Sequence, residues 1–229
     1  MSFEITWIPS QFYLTDKIAN DMIIIHHTGS RDGKINSLNG TISWFKPDPW
    51  RNEMKASAQY IIPRTQQAII QMVKDHHTAF HAGQSQWRIN GILRQNLNNR
   101  SIGIELQGDG NLVDYTNFQY EALIWLTRLK MEQFDIPVDL VQGHEHVSPG
   151  RKVDPGRLFD WKYFRSEITP KELITVPETY PDDSRDDSTT PGNVHHVDRF
   201  VENDDVQLPS GEDPPLIQRF LDLIFSIFK

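Results

Sequence analysis

The 229-residue chain contains no cysteine. Disulfides and thiolate metal sites are therefore excluded, and any bound metal ion must be held by histidine and carboxylate side chains. The chain also lacks an apolar run approaching the roughly 20 residues that a membrane-spanning helix needs. Residues 1–17 do not show the charged, then apolar, then small-residue order of a secretory signal, so we expect no signal peptide and synthesis in the cytoplasm.

An excess of positive charge is also missing, because the formal net charge is −8. Residues 1–169 contain equal numbers of acidic and basic side chains, whereas residues 170–215 contain 12 acidic and 3 basic ones. The basic stripe that is typical of nucleic-acid-binding proteins does not occur. We therefore expect no nucleic-acid partner.

Composition changes near Thr169 and divides the chain into three parts. Residues 170–215 are rich in Pro, Ser, Thr, Asp and Gly, which predicts an acidic, flexible linker. Residues 216–229 carry a narrow polar stripe at helical spacing, which predicts a C-terminal amphipathic helix too short to span a bilayer. We expect this helix to dock on its own domain, on another copy or on a partner.

Residues 1–169 alternate between short apolar runs and helical patterns. The predicted strands are residues 22–27, 57–62, 68–73, 101–106 and 138–142, and the predicted helices are residues 37–45, 116–134 and 159–168. This alternation predicts an α/β domain with a mixed central sheet flanked by helices.

Chemistry-bearing side chains occur in three stretches of this domain. They are His26 and His27 at the end of one predicted strand, Glu105 within another, and His144, His146, Lys152 and Asp154 in the loop at residues 143–156. Two histidines and one carboxylate that leave a position for water form a catalytic zinc set. A further carboxylate can move a proton, and an ammonium can stabilise an oxyanion. From the residues alone, the choice of ligands and the alternative of plain polar loops stay open.

These stretches resemble the motifs of type 2 N-acetylmuramoyl-L-alanine amidases. The similarity covers roughly residues 20–168 and includes Ile25-His26-His27-Thr28, Phe80-His81-Ala82-Gly83 followed by Trp87, and Asn99-Arg100-Ser101-Ile102-Gly103-Ile104-Glu105. The long loop Gly-His-x-His-x-x-Pro-Gly-Arg-Lys-x-Asp-Pro-Gly at residues 143–156 is the most specific match. Ala58 and Asp154 stand where other branches have Tyr and Cys, which favours the branch of the recycling amidase.

The resemblance implies a zinc amidase catalytic domain at residues 1–169 and a role for each motif residue. His26, His144 and Asp154 are then the Zn²⁺ ligands. Glu105 is the general acid/base and Lys152 stabilises the oxyanion. The implied substrate-binding residues are His81, Trp87 and His146.

Three functions remain open within this resemblance. Because the chain extends beyond the last motif, we put first a phage-type or other lytic enzyme that cuts the bond between N-acetylmuramic acid and L-alanine in peptidoglycan of the host periplasm or wall. The first alternative is a cytoplasmic recycling amidase acting on soluble anhydro-muropeptides. The second is a non-catalytic peptidoglycan recognition module.

Overall fold

The structure is a computed structural model that describes residues 2–46, 56–65 and 68–170. Apart from Pro170, the predicted linker at residues 170–215 and the predicted helix at residues 216–229 lie outside these described residues. The three-part division of the chain therefore stays a prediction.

A mixed sheet forms the centre of the domain, as the sequence predicted. Its strands are β1 (Ile5–Trp7), β3 (Met22–His27), β6 (Tyr60–Ile62), β7 (Ile69–Gln71), β11 (Ser101–Leu106) and β12 (Val141–Gly143). Their order in the sheet is β1-β7-β6-β11-β3-β12. β6 and β7 pair as an antiparallel hairpin, whereas β3 is parallel to both of its neighbours, β11 and β12.

Within the described ranges, three short antiparallel pairs accompany the sheet. They are β2 (Tyr13–Leu14) with β8 (Thr78–Ala79), β4 (Ser30–Arg31) with β5 (Lys34–Ile35), and β9 (Gln86–Ile89) with β10 (Ile92–Gln95). The β9–β10 hairpin was not predicted, although its turn, Asn90-Gly91, is a strong hairpin signal. Both turn residues have a positive φ, 50° and 77°, which glycine and asparagine tolerate better than other residues.

Helices cover both faces of the sheet. They are α1 (Leu38–Phe45), α2 (Asn117–Phe134), α3 (His144–Val147) and α4 (Trp161–Ile168). α1 packs its apolar side chains on the face that carries Ile61 and Ile70, whereas α2 and α4 pack on the larger cluster of the opposite face. None of the described helices is long and apolar enough to cross a membrane.

Burial on both faces explains the isoleucine-rich sequence of the central strands. Ile23, Ile24 and Ile25 are all fully buried in β3, as are Ile102 and Ile104 in β11. Such continuous apolar runs are typical of parallel strands that helices cover on both sides. The polar residues at the carboxyl ends of these strands are therefore exceptions to the pattern.

Strand register brings those polar residues together. Glu105 on β11 lies opposite His26 on β3, and Gly143, the last residue of β12, lies opposite Ile25. His144 therefore begins α3 directly beside the end of β3. Ligand sites of α/β sheets commonly lie at the carboxyl ends of parallel strands, and here that edge carries the chemistry-bearing residues.

The last strand of the sheet, β12, begins later than the predicted strand at residues 138–142. A short 3-10 helix occupies Val138–Leu140, and β12 follows it at Val141–Gly143. Pro137, just before this helix, has no backbone N–H and cannot join a strand ladder. The apolar run at residues 138–142 therefore divides between two elements.

We expect Ile24→Ala to lower the free energy of unfolding by about 2–5 kcal/mol, because it leaves a cavity in the centre of the sheet. Ile18→Ala is the matched control, since Ile18 is 59% exposed and its truncation should change stability by no more than about 0.5 kcal/mol. Urea denaturation of the two full-length variants measures both values. Equal stability losses would contradict the central position of β3.

Candidate metal centre and active site

Three buried ligand atoms converge at the carboxyl edge of the sheet. They are Nδ1 of His26, Nδ1 of His144 and Oδ2 of Asp154, and each lies 3.0 Å from the other two. β3 supplies His26, the start of α3 supplies His144, and the loop after α3 supplies Asp154. Residues that are 128 positions apart in sequence thus meet at one point.

The chemistry of this group fits a metal ion. Two imidazoles and one carboxylate are common ligands of zinc, and all three residues are buried. Burial and the neighbouring His144 lower the pKa of His26 to about 4. His26 is therefore neutral near pH 7 and has a lone pair to donate, as a metal ligand must.

A cleft of about 600 Å³ opens at the converging atoms. It is lined by His26, His27, Thr28, Gly29, Arg31, Asn36, Gly40, Thr41, Trp44, Phe45, Ala56, His81, Glu105, His144, Lys152 and Asp154. One wall comes from α1 and the segment after β3, and the floor comes from the strand ends. A group bound in this cleft would reach the converging atoms directly.

Glu105 places a second carboxylate in the cleft beside the converging atoms. Its Oε2 is buried and has no hydrogen-bond partner among the described residues. Burial, together with the negative charge of Asp154, raises the pKa of Glu105 to about 8, and the positive charge of Lys152 opposes the shift. A carboxyl group with a pKa near neutrality is suited to accept and return a proton.

Lys152 supplies a positive charge at the same cleft. It is exposed, lies in the loop between α3 and Asp154, and acts electrostatically on both Glu105 and His26. The structure thus brings together five of the residues predicted from the sequence, namely His26, Glu105, His144, Lys152 and Asp154.

The three residues assigned to substrate binding lie in different places. His81 lines the cleft but is only 7% exposed, and its ring packs against the ring of His26 with centroids 5.0 Å apart. Trp87 packs against the main core cluster, and His146 packs against Trp161. Neither Trp87 nor His146 is among the described residues that line the cleft, and their assignment stays a prediction.

Sequence reasoning missed the α1 side of the cleft. Arg31, Asn36 and Trp44 line it, although no motif marked them. Trp44 carried a usable sequence signal, because it is a large aromatic residue on the polar side of a short amphipathic helix. In the structure its side chain is 56% exposed. Exposed aromatic side chains at a concave surface often contact ligands.

Comparison with known proteins agrees with this geometry. The sequence profile of the family described as N-acetylmuramoyl-L-alanine amidase matches residues 16–157. The 1,6-anhydro-N-acetylmuramyl-L-alanine amidase AmpD of Salmonella typhimurium is 38% identical over 174 residues, which cover 70% of this chain and 88% of that protein.

Two solved structures share the fold. A crystal structure of a selenomethionine derivative of AmpD is 28% identical, with a TM-score of 0.61, and the match covers 74% of this chain and 97% of that one. The amidase AmiD from Escherichia coli, solved with anhydro-N-acetylmuramic acid-L-Ala-D-gamma-Glu-L-Lys, is 26% identical, with a TM-score of 0.53, and the match covers 65% and 57%.

We expect His144→Ala to lose most of the bound zinc, because the variant removes one of the three ligand atoms that converge among the described residues. His76→Ala is the control, since His76 is exposed and lies outside the converging group. Elemental analysis after dialysis against zinc-containing and then zinc-free buffer measures the content. Undiminished zinc in the His144 variant would contradict the site.

Proposed function

The chain belongs to the N-acetylmuramoyl-L-alanine amidase family, and on this premise we propose that it hydrolyses the amide bond between N-acetylmuramic acid and L-alanine. The observation that carries the proposal is one cleft that holds a His-His-Asp group beside a buried carboxylate and a lysine. A protein that only bound peptidoglycan would not need that combination. This favours the enzyme over the recognition module.

The proposed metal is zinc, with His26, His144 and Asp154 as its ligands. When bound, zinc would supply Lewis acidity, which lowers the pKa of water and polarises the carbonyl group of an amide. The protein's contribution is to hold three neutral or anionic donors in a buried position. It also keeps Glu105 on the neighbouring strand, in register with His26.

Glu105 is proposed to move the proton. Its carboxylate takes a proton from water as the water oxygen bonds to the amide carbon, and it returns the proton to the nitrogen of L-alanine as the C–N bond breaks. Its Oε2, which has no hydrogen-bond partner in the described part of the chain, leaves an acceptor available for this water. Lys152 is proposed to stabilise the negative charge that develops on the carbonyl oxygen.

The proposed substrate is a soluble muropeptide carrying a 1,6-anhydro sugar. The sequence analysis put a lytic, phage-type enzyme first, but the comparisons favour the recycling alternative. The AmpD relative is named for a 1,6-anhydro-N-acetylmuramyl-L-alanine substrate, and AmiD was solved with an anhydro-muramyl peptide. The walls of the cleft offer polar and aromatic contacts of the kind that sugars use, from Asn36, Arg31 and Trp44.

We expect Glu105→Gln to lower the rate of amide hydrolysis by about 10²–10⁴-fold while zinc content stays unchanged, because glutamine cannot transfer the proton. Glu121→Gln is the matched control, since Glu121 is exposed on α2 and should keep normal activity. Turnover of a purified muropeptide and elemental analysis of the same samples measure both quantities. Near-normal turnover in the Glu105 variant would assign the base to another group.

Substrate choice is tested by incubating the enzyme with soluble anhydro-muropeptides and with intact sacculi, side by side. We expect mass spectrometry to show free peptides with a new L-alanine amino terminus, at a higher rate from the soluble substrate. A higher rate from sacculi would support the lytic function instead. New reducing sugar ends would indicate a glycosidase and contradict the amidase proposal.

A further inference from the structure

His81 lies directly behind the converging ligand atoms and has both ring nitrogens engaged by protein groups. Its Nδ1 lies 2.9 Å from Nε2 of His26, and its Nε2 lies 3.2 Å from Oγ of Ser101. Oγ of Ser101 in turn lies 2.6 Å from the carbonyl oxygen of Leu97. These contacts form a continuous hydrogen-bond chain from a metal-facing imidazole to a backbone carbonyl.

The hydrogen bond from Ser101 to the carbonyl oxygen of Leu97 favours one distribution of the protons along this hydrogen-bond chain. A carbonyl oxygen only accepts, so the single hydroxyl proton of Ser101 is donated to Leu97. Oγ of Ser101 then accepts from His81, which requires the proton of His81 to be on Nε2. Since a neutral imidazole has one N–H, Nδ1 of His81 accepts, and the donor must be Nε2 of His26. This distribution leaves Nδ1 of His26 with its lone pair directed towards His144 and Asp154, whereas the opposite distribution would place a proton on Nδ1, where Oδ2 of Asp154 at 3.0 Å would accept it.

Local packing prevents the His81 ring from turning away. Oδ1 of Asn98 accepts from the backbone N–H groups of His81 and Ala82, at 3.1 and 2.7 Å. The ring packs on Gly103, where a Cβ atom would lie 2.5 Å from Cγ of His81. Glycine at this position of β11 thus makes room for the ring between Ser101 and the metal-facing group.

Ala82, the residue after His81, makes the matching contact with His144. Its Nε2 lies 3.0 Å from the carbonyl oxygen of Ala82, which accepts the proton and leaves Nδ1 bare. Nη2 of Arg151 also lies 3.2 Å from this Nε2. Its two protons, however, have nearer acceptors on Ala82, Gln84 and Ser148 at 2.7–2.8 Å, so the contact with Ala82 decides the tautomer of His144.

We propose that His81 and Ala82 are positioning residues that hold both metal-facing imidazoles in the tautomer with a bare Nδ1, and that Ser101 orients His81 for this purpose. This inference rests on the proposed metal site. It gives His81 the role of orienting the metal ligand His26, because both ring nitrogens of His81 make hydrogen bonds to protein groups. Groups that orient metal ligands in this way commonly change metal affinity by about 10–100-fold when they are replaced.

The experiment compares two replacements of His81 in the full-length protein. His81→Leu removes the acceptor for Nε2–H of His26, whereas His81→Asn keeps an amide oxygen near the position of Nδ1. We expect zinc affinity, measured by competition with a chelator, to fall about 10–100-fold in the leucine variant and to recover substantially in the asparagine variant. Equal affinities in the two variants would overturn the proposal.

Ser101→Ala tests the same hydrogen-bond chain without replacing His81 or a proposed metal ligand. The variant frees His81 to move its proton to Nδ1, and His26 must then move its proton to the metal-facing nitrogen. Proton–nitrogen correlation spectra of isotope-labelled, metal-free protein distinguish the two tautomers. We expect a larger fraction of His26 to be protonated at Nδ1 in the variant than in the wild type, with weaker zinc binding.

Ser10→Ala is the control, because Ser10 is also a buried serine whose hydroxyl donates to a carbonyl, that of Phe45. It should leave both the tautomer and the zinc affinity unchanged. Equal tautomer populations of His26 in the metal-free wild type and the metal-free Ser101 variant would overturn the inference, even if the enzyme binds zinc and is active. Absence of zinc binding or amidase activity in the wild type would overturn the proposed function, while the spectra still decide the tautomer.

Discussion

The register of β3 against its two parallel neighbours is the constraint on which the site depends. It sets Glu105 opposite His26 and places His144 immediately beyond the strand pair. Side chains alternate between the two faces of a strand, so a slip of one residue would move His26 or Glu105 to the opposite face. The isoleucine runs that pack against helices on both faces hold this register, and the hydrophobic core thereby fixes the positions of the polar groups.

One face of β11 shows how closely core and site are joined. Ser101, Gly103 and Glu105 alternate with Ile102, Ile104 and Leu106, which belong to the main core cluster. Ser101 contacts His81, Gly103 makes room for the ring of His81, and Glu105 lines the cleft. A single six-residue strand thus supports the fold on one side and the candidate site on the other.

The site carries an energetic cost that the rest of the domain must offset. The buried Oε2 of Glu105 has no hydrogen-bond partner among the described residues, and such a carboxyl oxygen costs roughly 1–3 kcal/mol or more, because it loses its hydration without gaining a hydrogen bond. Three histidines are also buried close together at one edge of the sheet. Such features are common where a protein is organised for binding or chemistry, and they oppose stability elsewhere.

By itself the sequence determined the fold class and the central strands, because long apolar runs are local signals, and the resemblance of its loop motif to a known family implied which residues converge. Residues 22–27 and 101–106 were predicted with the bounds that the structure has. Only the tertiary structure decided what those residues contact. The chain from His26 through His81 to Ser101 joins three separate elements, and the wall formed by Arg31 and Trp44 comes from segments without a motif. Sequence patterns report which face of an element is buried, whereas hydrogen-bond direction and cleft shape depend on distances between elements far apart in the chain.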